Sequence, residues 1–443
     1  MKIFSFKGGI HPQYNKEISI SEPLREAPLP DIAIVPLSQH MGSLNEPVVN
    51  KGDQVEEGQL IGNSSSFVSS PVHAPIYGKV TDIKKAEHPS LGPILSVYIE
   101  RDKTKASKKY TETDSSKMTK AECIEKIKEF GIVGMGGAAF PTYVKLSVPE
   151  GKKVTDLVIN GAECEPYLTC DQVLMSRKSR EVLKGIEILD KILKPERIFI
   201  AVEINKKGAI FAFDKLLRDY KNEFGNKTKT IALKTKYPQG GEKQIIKAIS
   251  GKEVPPGKLP LDIGFLVQNA GTAYAIYEAL YLNKPLYERI ITISGDCMYR
   301  PGNFLVRTGT TINDVMNKFG IEMYKDPKKI IVGGPMMGFS EPGTEMPILK
   351  NTSGILFLSE DKVDIFEETA CVKCAKCVDV CPMRLIPTEI MKHVKIKKIE
   401  AYEKLNITDC MECGACAYIC PARIPIVQYV KEAKNEILKK NRK

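Results

Sequence analysis

Eight cysteines in two short runs carry the clearest chemistry of this chain. "CVKCAKCVDVCP" spans Cys371 to Pro382 and "CMECGACAYICP" spans Cys410 to Pro421, each reading C-x2-C-x2-C-x3-C-P. Such a run puts three thiolates on one tight loop, enough for three irons of a cubane, and the fourth iron is reached from elsewhere. With two runs, the fourth cysteine of each completes the other cluster. The spacing therefore predicts one [4Fe–4S] site from Cys371, Cys374, Cys377 and Cys420, and a second from Cys410, Cys413, Cys416 and Cys381. Four thiolates can also hold zinc. Zinc sites generally separate their two pairs by a longer spacer, so the duplicated compact run favours iron–sulfur. Crossed ligation also brings the clusters together, which suits electron hopping. The other cysteines, Cys123, Cys164, Cys170 and Cys297, read as small buried thiols.

Four further stretches place glycine or polar residues where a ligand could lie. "GIVGMGGAAFPTYVK", Gly131 to Lys145, is neither a Walker phosphate loop nor a strand followed by G-x-G-x-x-G. Its Gly134, Gly136, Gly137 and Ala138 offer backbone that a flat ligand can approach closely. Pro141 suits the first turn of a following helix, whose free N–H groups attract phosphate. "VINGAECEPY" delivers Asn160, Glu163 and Glu165 at the end of a strand, where open α/β sheets bind ligands. "KYPQGGEKQ" sets Gly240 and Gly241 before Glu242 at a helix start, and "LVQNAGT" ends a strand with Gln268, Asn269 and Thr272. Singly, each is also compatible with a structural turn or solvated carboxylates. Four such turns in one domain predict a shared pocket for a cofactor.

The elements that must position these residues fall into successive domains, giving a multidomain α/β chain. Residues 1–100 are expected to hold an N-terminal region with a β barrel-sandwich. Its strands turn at "KGD" and Gly78 and resemble a biotinyl/lipoyl-type fold. The connecting "NSSSFVSS" has no lysine to take a swinging cofactor, so a scaffold role is expected. Residues 101–118 are polar and read as a linker. Thr119 and Glu122 stand in capping-box spacing for a helix that Gly131 should stop. Residues 119–286 then alternate strand and helix, predicting a central α/β domain with a mostly parallel sheet. Residues 287–345 return to β character with one short helix, residues 346–362 read as a connector, and residues 363–443 form the helical bis-[4Fe–4S] ferredoxin-like domain.

Bulk composition narrows the function classes. The chain is 42% hydrophobic and 27% charged, with a net charge of +11. No apolar stretch is long enough to span a bilayer, and the start "MKIFSFKGGIHP" lacks a secretory core. A reducing, cytoplasmic setting is expected, where clustered cysteines bind metal or do redox chemistry. Lysines crowd the cysteine runs in "KHVKIKKIEAYEK" and "KKNRK", suiting an acidic partner protein or anionic lipid as well as plain solvation. Aromatic residues are not interleaved with these lysines as a nucleic-acid stacking surface requires, so no nucleic acid is expected.

"FKGGIHP", "GMGGAAFPTYVK", "NGAECEPYLTCD", "YPQGGEKQ", "LVQNAGTA", "GGPMMG" and the two cysteine runs together resemble the C subunit of the Rnf ion-translocating electron-transport complex. The resemblance spans nearly the whole chain. The middle is also similar to the NADH-oxidising flavin subunit of respiratory complex I, and residues 289–340 to the ligand-binding β-grasp domain both share. This resemblance implies noncovalent FMN held by Gly134, Gly136, Gly137, Lys145, Asn160, Tyr237, Gly240, Gln268, Asn269 and Thr272. It implies that Phe140, Glu165 and Glu242 face NAD(H). Four positions depart from the complex I pattern: Met135, Ala139, Ala162 and Gly241 replace an arginine, a glycine, an aspartate and a glutamate. It further implies other Rnf subunits as partners, ferredoxin reached through them, and coupling to Na+ or H+ movement. The place implied is peripheral, on the cytoplasmic side of the inner membrane.

The implied chemistry is coherent. A nicotinamide gives up two electrons as hydride and a cubane accepts one, so a flavin must lie between them. A carboxylate such as Glu242 on a ribose hydroxyl would favour NAD over NADP. No side chain has to act as a general acid or base. Two alternatives stand beside this reading: a soluble NADH-dependent flavo-iron–sulfur reductase of the cobalamin-reductase kind, and an electron wire that has lost its flavin. Membrane association separates the first, and a flavin absorption band the second.

Overall fold

A computed structural model describes residues 2–363 and 367–441. Its centre is a parallel sheet in the order Ile3–Phe4, Thr228–Leu233, Arg197–Glu203, Asp156–Gly161, Phe265–Asn269. These strands are near-continuous apolar runs because both faces are covered. Leu157, Ile159, Ile198, Ile200, Val202 and Leu266 point into one core, shared with the helices Ser179–Leu193 and Ala270–Leu282. Val158, Ala201, Ile231, Leu233 and Val267 point into the other, against Ile245 and Ile246 of the helix Glu242–Ser250. The two helices on the first face touch at Gly185, where a Cβ would lie 1.8 Å from the Ala273 carbonyl oxygen, so no larger residue fits. The capping box at Thr119 forms as the spacing requires, and Gly131 takes φ +64 past the helix Lys120–Glu129.

The sandwich pairs the sheet Ile32–Pro36, Ile94–Arg101, Gly78–Ala86, Gln54–Val55 with the sheet Glu46–Pro47, Leu60–Asn63, Val72–His73, around Val35, Ile61, Val80 and Val97. Within the expected N-terminal region 1–100, the sandwich strands begin at Ile32, and the segment before them reaches into the other sheets. Ile3–Phe4 edges the central sheet, and Arg25–Glu26 edges the β-grasp sheet. The "NSSSFVSS" tip packs on the central domain. Phe67 lies edge-on to Tyr143 at 5.9 Å, and the Tyr143 hydroxyl donates to the Phe67 carbonyl.

The stretch 346–362, expected as a connector, contributes a strand of its own to the neighbouring sheet. Gly354–Leu358 is a fully buried strand, parallel to Glu288–Gly295 and antiparallel to Lys329–Val332, inside the β-grasp sheet. Two-residue edge strands and a short uniformly apolar strand carry no periodicity to mark them. The cysteine domain packs Pro387–Lys395, Ile399–Lys404 and Ile426–Asn441 around Ile390, Tyr402, Ile424, Val430 and Ile437.

Candidate functional site

The cysteine runs fold into two cavities. Cys371, Cys374, Cys377 and Cys420 line one, and Cys381, Cys410, Cys413 and Cys416 line the other. This is the crossed arrangement, and all eight are free thiols. A one-turn helix, Lys376–Asp379, separates Cys377 from Cys381, and another, Ala415–Tyr418, separates Cys416 from Cys420. Each short turn therefore carries the chain directly from the lining of one cavity to the lining of the other. Burial, reinforced by the neighbouring thiols Cys410 and Cys381, pushes the Cys413 thiol up to about 12. Thiols this close and this buried ionise together only around a polyvalent cation, so the donor set fits iron–sulfur cores.

The glycine-rich turn is held from several sides. Gly134 N–H donates to the Phe140 carbonyl at 2.8 Å, and Met135 N–H donates to Thr272 Oγ1 at 2.9 Å. Asn351 Nδ2 donates to the Gly137 carbonyl at 3.0 Å, and Met41 N–H of the sandwich donates to that of Ala139 at 3.0 Å. Between these ties, Gly136, Gly137 and Ala138 are exposed, and Gly137 has φ +115 with open space where a Cβ would stand. That is a cradle a ligand can enter and a side chain would fill.

Asn160 and Asn269 are register partners at the C-terminal ends of adjacent parallel strands, so the sheet itself brings them together. Asn160 Nδ2 donates to the Gly240 carbonyl at 2.8 Å. Asn269 Oδ1 caps the helix Ala270–Leu282 by accepting from Gly271 and Thr272 N–H, while its Nδ2 donates to Asp171 Oδ2 at 2.7 Å. Asn269 and Thr272 thus position the turn with their side chains. Gln268 is buried with its Nε2 unpartnered, and Gln239, beside Gly240, is buried with both amide atoms unpartnered. Buried orphan amides next to an open glycine cradle fit a bound polar cofactor such as FMN.

Among the residues expected at the nucleotide, Phe140 is half-buried beside the cradle and Glu242 forms an ion pair with Lys145 at 2.6 Å. Glu165 turns towards the β-grasp domain, accepting from Met336 N–H at 3.0 Å and lying against Gly334. Burial lifts its carboxyl from 4.5 to about 7. Tyr237, expected at the flavin, donates its hydroxyl to the Cys413 carbonyl at 2.7 Å.

Sequence reasoning missed the residues that lock these turns together. Asp171 orients Asn269, although it closes the quoted "NGAECEPYLTCD" motif at the start of the helix Cys170–Arg177. Lys16 donates to the carbonyls of Glu163 and Glu165, both at 2.9 Å, and also to that of Leu168. The "FKGGIHP" stretch straps the central domain to the cysteine domain. Gly9 N–H donates to the Val380 carbonyl at 2.8 Å, and Lys236 Nζ donates to the carbonyls of Phe6 and Gly8. No spacing within that stretch signals the role, because its partners lie more than 200 residues away in the chain.

Comparison with known proteins follows the same divisions. Residues 4–104 match the RnfC barrel sandwich hybrid domain, residues 127–278 the Nuo51 FMN-binding domain and residues 370–424 a 4Fe-4S dicluster domain. The C subunit of the proton-translocating ferredoxin:NAD(+) oxidoreductase complex of Clostridium ljungdahlii is 44% identical over 435 residues, 98% of this chain and 94% of that one. The Na(+)-translocating counterpart of Acetobacterium woodii is 42% identical over 444 residues, 99% of this chain and 98% of that one. A solved NAD+-reducing [NiFe]-hydrogenase in the H2-reduced state shares the fold. It has TM-score 0.50 and 17% identity, over 72% of this chain and 63% of that one.

Proposed function

The chain belongs to the family of Rnf-type ferredoxin:NAD+ oxidoreductase C subunits, and from that membership we propose how its residues divide the work. It is the NAD(H)-interacting flavo-iron–sulfur subunit of a membrane-associated complex, with FMN and two [4Fe–4S] clusters. When bound, FMN exchanges hydride with the nicotinamide and single electrons with the clusters.

The glycine cradle of Gly134, Gly136 and Gly137 presents backbone to the flavin, with Asn160, Gly240 and Gln268 around it and Asn269 and Thr272 holding its shape. Phe140 offers a ring face for the nicotinamide, and the Lys145–Glu242 pair borders the ribose and phosphate groups. Lys145 supplies the cation and Glu242 the carboxylate that disfavours a 2′-phosphate. Glu165 acts from behind, fixing the β-grasp loop.

The site of Cys381, Cys410, Cys413 and Cys416 is the one beside this pocket. The observation that carries this is the helix beginning at Glu242. Its Gln244 Nε2 donates to Met383 Sδ at 3.0 Å, and Met411 Cε lies 2.8 Å from where a Gly241 Cβ would stand. The Cys371 site is the outward one, with Cys374 exposed and Val372 65% exposed among lysines. Outward electron exchange with a companion subunit takes place there, and ferredoxin is reached through that subunit. No helix among the described residues is long and apolar enough to cross a membrane. We place the chain peripherally on the cytoplasmic side, with Na+ or H+ movement left to companion subunits.

The test is anaerobic purification of the reconstituted full chain followed by addition of NADH. Bleaching of the iron–sulfur absorbance is expected. Zinc in place of iron, or reduced flavin with unbleached clusters, overturns the reading.

A further inference from the structure

The cysteine loops make different contacts with the rest of the molecule, and the difference centres on Tyr237. Its side chain is fully buried, in an apolar cluster with Ile10, Cys413 and Ala415, flanked by Cys164, Met336, Val380 and Met411. Both its backbone groups pair with Ile10, at 2.9 and 2.8 Å, so the residue has no freedom to withdraw. Within the same short turn, Gly240 N–H contacts Cys164 Sγ at 3.4 Å and its carbonyl accepts from Asn160. One rigid turn therefore ends in the flavin cradle on one side and in a hydrogen bond to a ligand loop on the other. Among the described residues, no side chain of another domain donates to the carbonyls of Cys371, Cys374 or Cys377.

We propose that Tyr237 is a positioning and tuning residue for the pocket-side iron–sulfur centre: its O–H···O=C bond to Cys413 raises that centre's reduction potential and fixes its distance from the flavin turn. This rests on the reading that Cys413 ligates a cluster. The physical argument is electrostatic. Reduction adds negative charge, and a donor aimed at the peptide of a ligating cysteine presents its positive end to that charge. In a buried, low-dielectric setting the dipole is weakly screened.

Tyr237→Phe keeps the ring and removes the donor. On the full reconstituted chain, iron and flavin are counted first. The two cluster midpoints are then followed by EPR-monitored redox titration. Unchanged iron and flavin are expected, with one midpoint moved to a more negative value and the other unmoved. NADH-driven reduction of the shifted cluster should slow several-fold. Tyr402→Phe is the control, since Tyr402 is equally buried, within the cysteine domain itself, but donates to Glu436 at 2.7 Å, and both midpoints should stay in place. Midpoints of Tyr237→Phe at wild-type values overturn the inference. So does a shift of both together, or loss of iron from the variant, which would make Tyr237 a folding residue. A wild-type chain that itself binds no iron overturns the parent reading instead, and the iron count separates the two failures.

Discussion

The two cysteine loops are the same piece of backbone used twice, in different surroundings. Left-handed residues recur at matched places: Lys373 and Glu412 at φ 56 and 58, Ala375 and Gly414 at 61 and 78, Arg384 and Arg423 at 57 and 52. The duplicated spacing thus produces a duplicated conformation. The neighbours do not repeat. Around the second loop stand Tyr237, Met336, whose carbonyl lies 3.2 Å from a Cβ built on Gly414, and Lys434, which donates to the Cys410 carbonyl at 2.7 Å. Around the first, Cys374 and Val372 face outward. Local sequence fixes how a cluster is held, and the rest of the fold decides whether it faces the flavin or a partner.

Cysteine replacement breaks this comparison most severely. Cys416→Ala should remove about half the iron and lower NADH-driven bleaching of the remaining cluster more than ~10-fold, since the pocket-side carrier is gone. Flavin reduction by NADH should continue. Cys374→Ala should remove a similar share of iron, yet leave rapid NADH-driven bleaching of the surviving cluster. Iron analysis and stopped-flow absorbance read both. Equal kinetics in the two variants would erase the assigned order.

The next effect is at the strap. Gly8 has φ +91, and a Cβ there would lie 3.0 Å from the Cys381 carbonyl oxygen. Gly8→Ala should cost about 1–3 kcal/mol through that strained conformation and contact. The loss falls on the docking of Cys381, which the first run contributes to the pocket-side site. Thermal melts should show the cysteine domain releasing earlier, with slower NADH-driven bleaching at full iron content. An unchanged melt would detach the strap from the comparison.

What could be read from the sequence follows the range of the interactions. The crossed cysteine sets, the Thr119 cap and the central strands depend on neighbours a few residues away, and spacing reports them. The pocket-side contacts join residues far apart: Tyr237 and Cys413 are separated by 176 positions and Lys16 and Glu163 by 147. No periodicity encodes such a meeting. For the same reason Asn269 was legible as a strand-end polar group, while Asp171, which orients it, was not. The family pattern could nominate Tyr237 as a site residue, but only the fold shows which way its hydroxyl points.

A smaller effect concerns the pair at the pocket mouth. Lys145 and Glu242 keep 32% and 39% of their side chains exposed, so breaking their 2.6 Å contact should change stability by less than about 1 kcal/mol. Glu242→Ala should instead raise the KM for NADH and relax discrimination against NADPH, with both cluster spectra intact. Steady-state kinetics with the two nucleotides checks this, and unchanged constants remove Glu242 from the site.

The smallest effect is a pH dependence on the pocket side alone. Glu165 ties the β-grasp loop to the second cysteine loop through Met336, and burial lifts its carboxyl from 4.5 to about 7. Between those values the folded chain holds a proton that the unfolded chain has released. Stability from this group is therefore present below 4.5 and declines as pH rises through 7. Glu165→Gln keeps the shape and removes the titration, so the variant's melting temperature relative to wild type should climb from pH 5 to pH 7.5. Met336 covers Gly414, whereas the first loop turns Cys374 outward, so that loop should show no matching change. A parallel rise at both loops, followed by iron release on heating, would mean that the two halves unfold as one unit and that the asymmetry between them is not energetic.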